Sequence, residues 1–420
     1  METQRRPYTD DQQEFDGMTP ANDALMEILR TARALTDTET CPLLQAHGRI
    51  LAASQLSPLD VPPADNSAMD GYAIRHADLR PDTTQQLFVI SQRIPAGTVP
   101  AALKPGTAAR IFTGAEIPAG ADTVIMQEHC VETNGHATES TVSIPTDSSL
   151  GNNIRPQGQD IRRGAEVAAA GQVLTPQTLA LLASIGIAQA PVFRRLKVAI
   201  LSTGDELAEP GQPLRPGQIY NSNRFLLAGL LEKMGIIYVD LGRVADTPQA
   251  TLQALSRATL EADVIISSGG VSVGEEDHIK AAVEKLGELN LWKVAIKPGK
   301  PLAFGRVGDT PFFGLPGNPV STFLTFLLFA RPFLQKMQGR EPLLPQGSWV
   351  PARFTRAKKS IREEFVRVRI NNDGTMEAHP NQSSGVLSST SWSNGIAIVP
   401  INTVIAAGDP VRVISYEQFF

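Results

Sequence analysis

The chain has 420 residues, 19% of them charged, and a net charge of −5 at pH 7. That length predicts roughly two to four domains with sizeable cores, and the acidic balance excludes a general nucleic-acid binder, which would be basic. Cys41 and Cys130 form neither a disulfide framework nor a zinc-ligand spacing, and they fit a reducing compartment.

In chain order, residues 1 to 18 read as a disordered leader without a signal-peptide apolar stretch. The longest apolar run, around Phe323 to Ala330, is too short to cross a bilayer. A cytoplasmic protein is therefore expected, with neither membrane nor nucleic acid as partner. Leu25, Ile28, Leu29 and Ala32 give helical spacing to Asn22–Leu35, and a second helix is expected over Pro42–Ala53. Residues 61–151 read as a small inserted β domain, with short strands at 87–90, 107–112, 123–127 and 141–144. It opens on Asp65-Asn66-Ser67-Ala68-Met69-Asp70-Gly71-Tyr72-Ala73, a poor helix and a poor strand, which reads as a constrained loop. Helical grammar returns over 152–192, and with 19–60 it is assigned to a helical linker domain. Residues 193–340 alternate strand and helix, which predicts a doubly wound, mainly parallel α/β domain with ligands beyond the carboxyl ends of its strands. Strands are expected at 198–201, 236–241, 264–266 and 292–296. Residues 341–420 return to β structure as a barrel-like C-terminal domain.

The chemistry gathers at Asp263–Gly287. An apolar β-branched strand runs into Ser267-Ser268-Gly269-Gly270 and Val271-Ser272-Val273-Gly274, then a helix. That geometry aims backbone N–H groups at an anion, although the G-x-G-x-x-G dinucleotide spacing is absent. Glu275, Glu276 and Asp277 place acid at the first helical turn. This is either ordinary dipole matching or the setting for a divalent cation held between acid and phosphate. Lys297 and Lys300 stand in the stiff string Lys297-Pro298-Gly299-Lys300-Pro301, suited to an oxyanion. No G-x-S-x-G, H-E-x-x-H or Walker A string is present, so metal-assisted cleavage or transfer at phosphate is favoured.

The strings PPADNSAMDGYA, FTGAEIPAGADTVIMQE, STGDEL, IYNSN, SSGGVSVGEEDH, KPGKP and LPGNPVS together resemble the molybdopterin molybdenumtransferases, the molybdenum-insertion enzymes of molybdenum cofactor biosynthesis. They are also similar to the C-terminal domain of gephyrin, and the resemblance runs from about residue 20 to the end. It implies a homodimer whose cleft is shared between subunits. It also implies Mg²⁺, with adenylylated molybdopterin and molybdate as substrates, AMP as a product, and molybdopterin adenylyltransferase as upstream partner. Asp65, Thr113, Glu206, Asp246 and Asp277 match the family's functional polar positions, with Asp65, Glu206 and Asp277 at the metal. Ser268, Gly269, Gly270, Ser272 and Gly274, with Asn318 and Ser321, would cradle the pterin phosphate. Lys297, Lys300 and Arg367 would hold molybdate, with Ser384 or Ser388, while Arg155 and Asp160 match a loop near the cleft. Gln159 departs from the acid expected before Asp160, and Asn221 stands where Asp is commoner. Two alternatives are a molybdopterin adenylyltransferase, which lacks the inserted domain, and a non-catalytic gephyrin-like scaffold.

Overall fold

The structure is a computed structural model that describes residues 17–133, 140–270, 278–342 and 344–420. The chain divides into two compact units. One gathers the described residues up to Glu39, Gly48–Ala52 and Val192–Phe420; the other holds Thr40–His47 and Ala53–Pro191. Among the described residues no helix is long and apolar enough to cross a membrane.

The larger unit is built on a six-stranded mixed sheet. Its parallel part runs Ile237–Val244, Lys197–Thr203, Val264–Ser268, Thr310–Leu315. Val264–Ser268 is buried along its whole length, as a strand covered on both faces must be. Two antiparallel strands, Pro301–Val307 and Gly287–Lys293, then extend the sheet. The parallel core matches the sequence expectation, but the 301–315 hairpin was not foreseen. Its turn at Gly308, with φ +57°, sits in the string Val307-Gly308-Asp309-Thr310, a hairpin signal. The strand expected at 292–296 ends at Lys293. Ile296–Lys297 instead pairs in parallel with Glu363–Glu364 of a second six-stranded sheet formed by the C-terminal region.

One apolar core ties these parts together. Leu25, Ile28 and Leu29 of the helix Ala21–Thr31 share a core with Val264, Ile266, Phe313 and Phe333, with Phe365, Ile396 and Ile414 of the C-terminal sheet, and with Phe419 of the 3₁₀ turn that follows it. Phe304, Phe313 and Phe333 meet at centroid distances of 4.8–5.5 Å in tilted and edge-on geometries. Each such pair adds about 0.5–1.5 kcal/mol beyond area burial. The helix expected over Pro42–Ala53 is absent. The chain forms a strand to Pro42 and a 3₁₀ turn at Leu43–Gln45, because Gly48 adopts φ +73° and a left-handed residue ends a right-handed helix. Between 152 and 191 the sole α-helix among the described residues is Pro176–Ser184, capped by Thr175. Short strands occupy much of the rest.

The smaller unit carries a six-stranded sheet, ordered Thr123–Met126, Gly71–Ile74, Thr107–Ile111, Gln85–Ile94, Thr141–Pro145, Val131–Thr133. A Cβ on Gly71 would collide with the carbonyl of Ile125, so glycine is required where these strands approach.

At the edge of the larger unit, Asp263 takes both Arg194 terminal nitrogens (2.8 and 2.6 Å) and the Lys197 amide (2.8 Å). Burial alone would raise its pKa, but the Arg194 and Lys197 hydrogen bonds outweigh it and hold the carboxyl below its usual range. Asp263→Asn is predicted to lower the stability of this unit by about 1–3 kcal/mol at pH 7. A depressed folded pKa contributes stability that is complete above the unfolded value and lost as pH falls through the folded one. The gap between variant and wild type should therefore narrow only below about pH 4. Urea titration followed by tryptophan fluorescence checks this, since Trp292, Trp349 and Trp392 all lie in the larger unit.

Candidate functional site

Parallel strands deliver their last residues to one edge, and there the larger unit opens a cleft of about 580 Å³. Its floor is Thr203, Ser268 and Gly269 from two adjacent strand ends, with Gly317 and Asn318 from the turn after Leu315. Glu206, Tyr220, Asn221 and Asn223 line one side, and Gly385 and Leu387 of the C-terminal region line the other.

Local chemistry explains this shape. Gly269 and Gly270 both take positive φ, +87° and +66°. A Cβ on Gly270 would stand 2.7 Å from Ile279 Cγ1 and 2.8 Å from Thr203 Oγ1, so the turn can be this tight only with glycine. The Gly269 amide donates to Leu315 O (3.0 Å), which fixes the turn to the next strand. Beneath it, Ser202 Oγ and Ser268 Oγ share a hydrogen bond of 3.0 Å, and Ser202 Oγ also reaches Asn221 Oδ1 (3.4 Å). Asn221 caps the helix Ser222–Lys233 by accepting the Arg224 amide. Among the described residues its buried Nδ2 has no partner. Asn223 donates Nδ2 to Gly317 O (2.8 Å), while its buried Oδ1 has no partner among the described residues.

The residues expected from sequence separate into groups. Ser268, Gly269 and Asn318 line the cleft, with Gly270 beside it. Glu206 is exposed at its rim, and Asp246 follows the end of the edge strand Ile237–Val244 without lining the cleft. Ser321 is buried in the helix Pro319–Thr325, where its carbonyl accepts from Thr325 Oγ1 (2.7 Å). Ser272, Gly274 and Asp277 lie outside the described residues. Thr203, Tyr220, Asn223, Gly317, Gly385 and Leu387 were not singled out by the sequence, although Thr203, Tyr220, Asn223 and Gly317 stand inside the quoted strings STGDEL, IYNSN and LPGNPVS.

Arg367 is 1% exposed. Its Nε donates to Ser389 Oγ and a terminal nitrogen donates to Ser383 O, both at 3.1 Å. No carboxylate pairs with it among the described residues, and burial pushes the guanidinium down to about 10. The segment that holds it, Ser383–Ser389, is the one that supplies Gly385 and Leu387 to the cleft. Ser389 rather than Ser384 or Ser388 contacts the guanidinium; the Ser384 carbonyl accepts from the Val320 amide. Lys297 is placed otherwise. Its Nζ lies 2.8 Å from Glu364 Oε1, and Arg356 binds the other carboxylate oxygen. Strand residues three apart face opposite ways, so Glu364 holds Lys297 on the face of Glu363–Ile370 opposite Arg367. The Lys300 carbonyl accepts the Val294 amide (2.7 Å) and closes that turn.

In the smaller unit, Asp65 Oδ1 accepts the Gln157 amide (2.7 Å) and its carbonyl accepts the Ile117 amide. Strand pairing of Asn66 with Arg155 brings Arg155 into the same region, and the Asp160 amide donates to Val61 O. Thr113 gives both its amide (2.8 Å) and its hydroxyl (2.7 Å) to Asp70 Oδ1. These bonds hold the Asp70 carboxyl below its ordinary pKa. Among the described residues no group of three His, Cys, Asp or Glu side chains is poised to hold a metal. Mg²⁺ is commonly held by one or two carboxylates plus substrate phosphates. Glu206 fits that sparse demand: the φ of +138° at Gly204 lets its carboxylate fold back to within 2.5 Å of where a Cβ on Gly204 would stand.

Three family models match the chain. Residues 19–186 match the MoeA N-terminal region (domain I and II), residues 199–336 a probable molybdopterin binding domain, and residues 350–416 the MoeA C-terminal region (domain IV). A molybdopterin molybdenumtransferase of Haemophilus influenzae is 44% identical over 345 residues, covering 81% of this chain and 84% of its own. One of Nostoc is 38% identical over 398 residues, covering 90% and 88%. The crystal structure of the molybdopterin biosynthesis MoeA protein from Pyrococcus horikoshii OT3 is 30% identical and superposes with a TM-score of 0.82, over 95% of this chain and 100% of that one. The chain therefore belongs to the molybdopterin molybdenumtransferase (MoeA) family.

Proposed function

We propose that this enzyme inserts molybdenum from molybdate into adenylylated molybdopterin and releases AMP. The observation that carries the reading is Arg367: a buried cation with no carboxylate partner among the described residues, held by the segment that also walls the glycine-floored cleft. A phosphate-bearing ligand suits the floor, where Ser268 and the positive-φ glycines present hydroxyl and main-chain donors. Asn221 and Asn223 line the cleft, and side-chain amides are the kind of group that complements the amide-like edge of a pterin ring. No histidine or cysteine lines the cleft among the described residues, which favours a contribution of positioning and charge over a covalent intermediate. Arg367 would hold the metal oxyanion, with Ser389 fixing its guanidinium. Lys297 would join it only by leaving Glu364. Lys300, Asp246 and Ser321 would play supporting roles in the same site.

Mg²⁺ would be held by Glu206 and Asp277 and would supply charge neutralisation to the phosphoanhydride. The protein acts as a homodimer, and the inserted domain of one copy brings Asp65 and Thr113 to the cleft of the other, with Asp65 as a further metal carboxylate. Arg155 and Asp160 accompany Asp65 on that domain. The substrate comes from an adenylyltransferase acting upstream in the cytoplasm.

Single-turnover incubation with adenylylated molybdopterin is expected to release AMP only when molybdate and Mg²⁺ are both present. Consumption of ATP with adenylylation of free molybdopterin would replace this reading by the upstream activity. Arg367→Ala is expected to raise the half-saturating molybdate concentration by about tenfold or more, while adenylylated molybdopterin still binds. Unchanged half-saturation would remove Arg367 from the oxyanion site.

A further inference from the structure

A second cavity, of about 540 Å³, opens on the other face of the strand that carries Arg367. It is lined by Lys297, Arg356, Lys358, Lys359 and Arg362, with Glu364 as its carboxylate. The buried Glu364 engages Lys297 and Arg356. Lys358, Lys359 and Arg362 have no ion pair among the described residues, so three positive charges face one concavity without compensation. The segment that presents them is fixed at several points. The Arg356 amide donates to Ile405 O (2.8 Å) and the Ile405 amide returns to Arg356 O (3.0 Å). Ser360 O accepts from Asn402 N (2.8 Å), and Ser360 Oγ accepts from the Arg362 amide (3.1 Å). Like charges fixed at close range repel one another, and a bound dianion reverses that repulsion.

We propose that this cavity binds a tetrahedral oxyanion carrying two negative charges, at a site separate from Arg367. Lys358, Lys359 and Arg362 supply the charge, with the Thr355 hydroxyl at the rim. Assigning molybdate as the oxyanion rests on the function proposed above; anion binding by the cavity does not.

The test is equilibrium dialysis of the full chain with molybdate, and in parallel with tungstate, sulfate and phosphate. Wild type is compared with Lys358→Ala/Lys359→Ala/Arg362→Ala and with Arg367→Ala. Wild type is expected to take up two molybdates per chain. The triple variant should lose one of them by about tenfold or more in affinity, and Arg367→Ala the other. Because the cavity is open, its site should also weaken more steeply with added salt. Tryptophan fluorescence confirms that the triple variant is folded, and Lys358→Arg/Lys359→Arg should retain binding. Preference for molybdate and tungstate supports a metal-oxyanion site. Equal binding of phosphate supports the same site with a phosphate group as its natural occupant. Unchanged stoichiometry and affinity in the folded triple variant overturns the proposal. So does a single site that only Arg367→Ala abolishes. Failure of AMP release with these dialysis results intact would strike the proposed reaction and leave the cavity standing.

Discussion

Everything at the candidate site depends on one shared apolar core. Phe365, Ile396 and Ile414 of the C-terminal sheet, with Phe419 of the 3₁₀ turn after it, pack into the same cluster as Ile266 and Phe313 of the α/β sheet and Phe333 of the helix Arg331–Met337. That packing, with the short parallel pairing of Ile296–Lys297 to Glu363–Glu364, makes one compact unit of what the sequence divides in two. Its consequence is chemical. The Gly385–Leu387 wall and the strand-end floor at Ser268–Gly269 face each other across a fixed cleft. Weakening the core would misplace a binding wall without altering any polar residue.

Two charged groups at this junction are buried in different ways. Glu364 is satisfied: Lys297 and Arg356 saturate it, and their hydrogen bonds outweigh burial and keep its pKa low. Among the described residues Arg367 receives only neutral partners. Burying a cation without a counter-charge is costly. The fold thus places a paired carboxylate and a cation held by neutral groups on the two faces of one strand.

Much of this was legible in the sequence, and the exceptions have physical causes. The strand–glycine–helix grammar of 264–286 and the alternation over 195–337 located the parallel sheet and its carboxyl edge, because buried parallel strands leave apolar runs bounded by turns. The strings IYNSN and LPGNPVS marked the cleft, yet nothing in Asn221 or Asn223 announced a buried atom without a partner among the described residues, which arises only when distant segments meet. The family resemblance grouped Lys297 with Arg367, and in the structure strand alternation places the Lys297 partner Glu364 on the opposite face of that strand. Pro42–Ala53 had helical apolar spacing, but a left-handed glycine in its middle overrode it. The helix Ala21–Thr31 was legible by period, though its packing partners were not, since its core contacts lie hundreds of residues away in sequence.

The account's central claim is that the glycine-floored cleft receives the pterin substrate beside the Arg367 segment. A crystal structure with adenylylated molybdopterin bound tests it most directly. The account predicts ligand phosphate over the Ser268–Gly269 turn, with the pterin in the cleft between Asn223 and the Gly385–Leu387 wall. Ligand density outside this cleft would contradict it.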